Sequence, residues 1–343
     1  RVILGDLEIP VREKTDKEDD IAFYGQKDQQ KADNNVKVGF IKGAVHDGKS
    51  LPELEFLTNK KIYTASFKTN SVNILNSNSG RVKNAINIPT HPASMAVTPD
   101  KRYILVGGLA SDYIYVLDTM NQAMAKKIKV GKFPSDIVVP EGSDSAYVAN
   151  RFSSSITEID LVNMKAVKSL KVEGVPKNLA SSPKGNYLYY VDARGDNIYR
   201  LNIHNGQNKI ITKGANVSKI DQFSRFLYYL SRTDNTLTVY DLKENREKHV
   251  VQVGEKPVDF KIFGAKGEIL VLSAEADELA VVDMQDYKVE EKIALGSGGF
   301  PGKITVLENE HRALITNNYA YEMIIYDVAL RKVVGYLPVG ITV

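Results

Sequence analysis

One pattern constrains this chain more than any other: five residues of mostly apolar alternation closing on Asp or Asn, present seven times. The copies are VNILN ending at Asn76, IYVLD at Asp118, ITEID at Asp160, IYRLN at Asn202, LTVYD at Asp241, LAVVD at Asp283 and MIIYD at Asp327. By subtraction of those positions, successive copies lie 42, 42, 42, 39, 42 and 44 residues apart. A near-constant period of this size marks a repeat architecture. The closing Asp or Asn has a local structural role, because its short side chain accepts backbone N–H groups in the turn that follows.

Each copy keeps the same neighbours. A β-branched and aromatic run precedes it: KIYTASF, YILVGGL, AYVANRF, YLYYVDA, FLYYLSR, EILVLSA and RALITNN. A third run follows and ends mostly in glycine, at Gly131, Gly174, Gly214, Gly254, Gly296 and Gly340. A short run then opens the next unit, often at proline, as in PASMAV, PSDIVV, PKNLAS, PVDFKI and PGKITV. Every unit therefore reads as four short strands joined by turns. Such a unit cannot bury both faces alone, and stacking units in a closed ring buries them and leaves only short edges. The expected fold is all-β: a seven-bladed β-propeller of four-stranded antiparallel blades over residues 43–343. Residues 1–42 form a separate N-terminal segment, with a strand within 2–11, a polar irregular stretch over 11–35, and an extra edge strand or connector over 36–43.

Composition enters by what it excludes. The chain has 343 residues and no cysteine, so disulfides, thiolate metal sites and cysteine nucleophiles are ruled out. Five histidines are scattered through different repeat positions, so no metal site is expected, and no cofactor. Lys+Arg 45 against Asp+Glu 42 is too balanced for a nucleic-acid binder. No apolar run reaches the ~18 residues of a membrane helix, although a lipid anchor outside this chain stays compatible with it. The first residue is Arg1, which reads as a trimmed or processed start. The absence of Trp and of a Gly-His…Trp-Asp pattern argues against the WD40 type.

The run AYVANRFSSSITEID, from Ala146 to Asp160, with its Gly-Lys-Phe-Pro and Gly-Glu-Lys-Pro junctions, resembles the Tyr-Val-Thr-Asn (YVTN) repeat propellers. The tetrad here reads Tyr147-Val148-Ala149-Asn150, with Ala in place of Thr; Leu314-Ile315-Thr316-Asn317 is a looser copy. The resemblance covers about 300 residues. It implies a seven-bladed propeller and a setting outside the cytoplasm, in the periplasm or at the cell surface. Its members include surface-layer proteins, exported antigens, binding proteins and lactonase-like relatives.

Two places could carry function. The first is the rim that holds the hairpins between second and third strands and the junctions between blades. The residues closing the second strands, Ser66, Gly108, Asn150, Asp192, Ser231, Ser273 and Asn317, are small and mostly polar, as tight turns require. Beyond them lie Arg151, Phe152, Arg194, Arg232, Asn318 and Tyr319, with Glu275, Asp277 and Glu278 on the sixth blade. Basic, acidic and aromatic groups together suit a protein or glycan partner; the competing reading is an ordinary solvated loop surface. The second place is the channel mouth, where alignment on the opening strands gives a polar ring of Glu53, Ser94, Asp136, Asn178, Lys219, Asp259 and Lys303. The next position is apolar in every copy, as period-two alternation requires. That ring could hold a small ligand, or could neutralise itself.

No Ser-His-Asp arrangement or nucleophile elbow is present. Asp136 and Asp259 could act as paired carboxylates, but they sit on different blades. The leading expectation is a non-catalytic binding module of the cell surface or periplasm; the alternative is a lactonase-like hydrolase at the channel mouth. The tripeptide Arg194-Gly195-Asp196 falls in a hairpin, where glycine is the ordinary turn residue. No ligand identity and no oligomeric state follow from the repeats.

Overall fold

The computed structural model describes residues 61–66, 69–76, 81–194, 197–214, 216–296, 298, 300–306, 312–317, 322–338 and 340–342, together with the strands Val2–Leu4, Leu7–Ile9, Val38–Phe40 and Leu54–Leu57. Seven four-stranded antiparallel sheets follow one another in chain order. Blade 1 runs from Leu54 to Asn87, blade 2 from His91 to Lys129, blade 3 from Pro134 to Lys171 and blade 4 from Pro176 to Thr212. Blade 5 runs from Val217 to Gln252, blade 6 from Pro257 to Ala294 and blade 7 from Pro301 to Pro338. The first strand of blade 7 contacts the first strand of blade 1, which closes the ring. The chain is a seven-bladed β-propeller. Among the described residues the only helical element is a short 3-10 turn, Pro183–Gly185.

The core lies between blades. Blades 1 and 2 meet through Tyr63, Ile74, Met95, Ile104 and Leu117. Blades 6 and 7 meet through Leu270, Leu279, Ile304, Ile324 and Tyr326. The four intervening seams are built in the same way. Second and third strands are buried on both faces, so they read as nearly continuous apolar runs. Fourth strands are mostly exposed, as the pattern over Ala123–Lys129 shows.

The repeated Asp or Asn acts as the sequence requires. In blade 2, Asp118 Oδ1 accepts the N–H groups of Met120 and Asn121 at 2.8 and 3.1 Å. Asp160, Asn202, Asp241, Asp283 and Asp327 hold the following turn in the same way. In blades 2, 5 and 7 the carboxylate also pairs with Arg102, Arg225 and Arg312 respectively. Departures from the common spacing have local causes. Blade 5 joins its first two strands by Ser224 and Arg225 alone, where blade 4 uses residues 182–186, and this accounts for most of the shortening to 39. Blade 7 is entered through residues 295–300 where blade 6 uses 253–256, which gives the interval of 44.

Outside the ring, Val2–Leu4 pairs with Leu7–Ile9, and Val38–Phe40 pairs antiparallel with Gly340–Thr342. The latter strand also contacts the outer strand of blade 1. The irregular stretch expected over 11–35 lies outside the described residues.

Candidate functional site

On blades 3 to 6 the rim is built from two repeat positions that face each other. One is the residue before the opening strand, and the other lies two places beyond the end of the second strand. A backbone clamp sets them. The N–H of the intervening hairpin residue donates to the junction carbonyl: Arg151 to Phe133 at 2.9 Å, Ala193 to Val175 at 2.8 Å, Arg232 to Asn216 at 3.2 Å and Ala274 to Lys256 at 3.0 Å. On this constant clamp the side-chain pair changes from blade to blade. Blade 3 stacks Phe133 on Phe152, with ring centroids 4.8 Å apart. Blade 4 presents Val175 and Arg194. Blade 5 bonds Asn216 Nδ2 to Thr233 Oγ1 at 2.5 Å. Blade 6 forms an ion pair between Lys256 and Glu275.

Several junctions hold strained backbone. Phe133, Lys256 and Phe300 take φ of +58°, +50° and +56°, each directly before a proline. A non-glycine residue in the left-handed region costs on the order of 1 kcal/mol or more. Because this recurs at three junctions, it belongs to the scaffold.

Among the described residues, blade 3 carries the most exposed chemistry of the rim. Phe152 is 71% exposed although it stacks on Phe133. The Arg151 guanidinium lies over the other ring, with Cζ 5.7 Å from the Phe133 centroid, an arrangement worth roughly 0.5–1 kcal/mol when solvent-exposed. The three arginines share one end of the ring because all lie between second and third strands. They are not in one register: Arg151 and Arg232 hold the clamp position, while Arg194 holds the variable-pair position. Lys132 and Lys213 lie at the same end of the ring, and so do the acids Glu173 and Asp234. On blade 6 the acids are partly spent: Glu275 on Lys256, and Glu278 on Lys292 at 3.0 Å. Asn318 and Tyr319 lie outside the described residues, as do Gly195 and Asp196; Arg194 itself is exposed.

The second-strand ends are turn chemistry. Asn150 is buried, and its Nδ2 donates to Ser155 Oγ at 3.2 Å and Thr157 Oγ1 at 2.8 Å. Asp192 Oδ1 accepts the N–H groups of Val175 and Arg194 at 2.7 and 3.1 Å. Ser231 Oγ bonds Asp234 Oδ2 at 2.7 Å. Gly108 is demanded by approach, because a Cβ there would lie 2.5 Å from the His91 carbonyl oxygen. At the head of the tetrad, burial and then the Glu158 carboxylate beside it push the Tyr147 hydroxyl up to about 12. It is a neutral donor at ordinary pH.

At the channel mouth the polar ring ties blade to blade. Asp136 Oδ2 accepts the N–H of Leu179, on the next blade, at 2.6 Å. Asn178 Nδ2 donates to the Ser218 carbonyl at 2.9 Å, again one blade on. Asp259 Oδ2 accepts the N–H of Ile304 at 3.0 Å. The two carboxylate contacts use N–H groups freed where the opening strands slip register, between Lys177 and Leu179 and between Pro301 and Ile304. Asp136 and Asp259 thus serve different seams, the third with the fourth and the sixth with the seventh. Ser94 and Asp259 are buried, while Asp136, Asn178, Lys219 and Lys303 are half-buried. Glu53 lies outside the described residues. Met95, Ile137, Leu179, Ile220, Phe260 and Ile304, the next position, are all buried. Among the described residues no group of His, Asp and Glu has the proximity to hold a metal ion.

Sequence reading missed Phe133 as half of the rim pair. The signal was present: an aromatic where other junctions carry Lys256 or Asn216.

No protein-family model matches the chain, and no curated protein matches it by sequence. Among solved structures it is similar to a chain titled Kuenenia stuttgartiensis hydrazine synthase, at 16% identity over 87% of this chain and 99% of that one, with a TM-score of 0.71. It is similar to the dihydro-heme d1 dehydrogenase NirN in complex with DHE, at 16% identity over 84% and 66%, TM-score 0.65. A functionally unknown protein from Desulfotomaculum acetoxidans matches at 14% identity over 81% and 95%, TM-score 0.69. These likenesses show the fold alone. Propellers host unrelated functions, so function has to be argued from the site.

Proposed function

We propose that the chain is a non-catalytic binding module of YVTN-repeat type, working outside the cytoplasm, and that its clamped rim recognises a protein or glycan partner. The observation that carries this reading is the blade 3 cluster, where Phe152 stands exposed on Phe133 beside Arg151. An exposed, stacked aromatic offers a flat apolar face, and a guanidinium offers paired donors for a carboxylate. Between the two partner classes this pairing favours an acidic glycan: the ring face meets the sugar plane and the arginine meets the uronate. Arg194 and Arg232 extend the positive field over the next two blades. The tetrad Tyr147-Val148-Ala149-Asn150 and the lack of cysteine support the family and the compartment.

The hydrolase alternative is supported less well. Its best carboxylates, Asp136 and Asp259, are each bonded to a neighbouring blade's backbone in separate seams.

The test is a glycan array carrying neutral and uronate-containing oligosaccharides, probed with wild type, Phe152→Ala and Arg151→Ala with Arg232→Ala. Selective binding to uronates, lost in the Phe152 variant and reduced in the arginine pair, supports the proposal. Retention of all binding in both variants refutes it. A lactone screen with Asp136→Ala and Asp259→Ala tests the alternative, which requires turnover that the variants lose while their far-ultraviolet spectra stay native.

A further inference from the structure

The outer wall of the ring has a charge asymmetry independent of the rim. The fourth strands of blades 1 to 4 contain eight lysines and no acid: Lys83 on the first, Lys126, Lys127 and Lys129 on the second, Lys165, Lys168 and Lys171 on the third, and Lys209 on the fourth. The corresponding strands of blades 5 and 6 are mixed, with Glu247, Glu290 and Glu291 among their cations. The outer strands of blades 2 and 3 approach each other, so their lysines form one wall. Lys168 reaches across to the Ile203 carbonyl at 2.6 Å. Lys126, Lys127, Lys129, Lys165 and Lys171 are exposed. Lys127 Nζ lies 4.8 Å from the Tyr113 ring centroid, and Lys129 stands 3.8 Å from Asp112.

Large apolar side chains share that wall. Met120 is 70% exposed and Val162 72%. Both occupy the position two beyond the capping Asp, and both N–H groups donate to it, so the turn holds these side chains in place. Met120 also accepts a contact from Arg102 at its sulfur, at 3.0 Å. The same position holds His204, Lys243, Gln285 and Ala329 in the later blades. Met124 and Val167, on the outer strands themselves, are exposed as well. Lysines on edge strands discourage edge-to-edge pairing. That accounts for the charge, but neither for its single sign nor for exposed Met and Val beside it.

We propose that the outer wall of blades 2 and 3 docks onto an anionic lipid bilayer. Lysine suits a diffuse field of headgroup phosphates, for which a compact point charge suffices without the planar fork of arginine. Apolar side chains at the wall's lower corner enter the headgroup boundary, where a polyanion in water would give them no partner. Cations near such a surface act together and lose strength within a Debye length, so the docking is salt-sensitive.

The experiment is co-sedimentation of the whole chain with vesicles of phosphatidylcholine, alone or with about one-third phosphatidylglycerol. Wild type should sediment with the anionic vesicles and release as salt rises. Lys126→Glu with Lys165→Glu should weaken binding at least about tenfold, because each reversal replaces attraction by repulsion. Lys243→Glu with Lys266→Glu makes the same change in net charge on blades 5 and 6 and should weaken it far less. Met120→Ser with Val162→Ser should lower affinity for vesicles without lowering affinity for duplex DNA. Far-ultraviolet spectra confirm folding in each case. The proposal is overturned if anionic vesicles bind no better than neutral ones, if the control pair weakens binding as much as the wall pair, or if the apolar pair has no effect on vesicles. Duplex DNA bound more tightly than the vesicles, and released by the Lys126→Glu with Lys165→Glu pair, would assign the wall to a soluble polyanion instead.

Discussion

Asp118 offers the sharpest test of how the repeat is held. Its carboxylate is almost fully buried and collects four donors: the N–H groups of Met120 and Asn121, Asn121 Nδ2 at 3.0 Å and Arg102 Nη2 at 2.7 Å. Asp118→Ala removes them all. Loss of a side chain that caps backbone N–H groups costs about 1 kcal/mol. The bond to Arg102 adds a smaller amount, because the guanidinium is over a third exposed and finds water. The expected loss is about 1–2 kcal/mol, read from urea unfolding. Asp118→Asn keeps the oxygen that holds the turn and should cost about half as much; blade 4 already uses Asn202 in this place. Burial raises the Asp118 pKa, but the bonds from Arg102, Asn121 and Met120 outweigh it, and the net shift is downward. A lowered folded pKa stabilises above the unfolded value of about 3.9, and that stability is lost as pH falls through the folded value. The gap between wild type and Asp118→Ala should therefore hold at neutral pH and shrink below about pH 4. Equal losses for Ala and Asn, or a gap that widens in acid, would refute the reasoning.

Burial pushes the Tyr63, Tyr147 and Tyr189 hydroxyls up to about 12 and raises Tyr190, Tyr228 and Tyr229 as well. Raised folded values stabilise below the unfolded pKa of about 10, so stability should fall as pH climbs from about 10 through about 12. Tyrosinate absorbance of these residues should rise together with loss of β-sheet ellipticity, and full ionisation of a native sheet would contradict this. Gly108→Ala should destabilise by about 1–3 kcal/mol, since its Cβ meets backbone. Gly264→Ala should cost under about 1 kcal/mol, because it meets the half-exposed Phe223 ring, which can turn away. Asp136→Ala and Asp259→Ala should each lower the melting temperature, with additive effects because they tie separate seams; strong coupling between them would place them in one site.

The seven-fold pattern was legible because each strand carries its own signature and each turn its own acceptor. Burial of second and third strands on both faces produced the apolar runs, and the Asp or Asn cap punctuated them. The rim was only partly legible. Arg151 and Arg232 fall in register, but Arg194 is one place further on, because blade 4 carries Ala193 at the clamp position where blades 3 and 5 carry arginine. Phe133 was hidden because its partner lies nineteen residues away across a turn, and only the backbone clamp brings them together. At the channel mouth, alternation separated the apolar ring from the polar one. It gave no hint that bulged opening strands free N–H groups for the carboxylates of the preceding blade.

The most direct test of the rim as the recognition surface is hydrogen exchange with and without an oligogalacturonate. The account predicts slowed exchange at the end of the ring holding the hairpin 150–155, the junction 131–134 and the hairpin 231–236. Turns at the opposite end, 118–123 and 160–165, should be unchanged. Protection confined to the opposite turns, or none at saturating oligosaccharide, would contradict it.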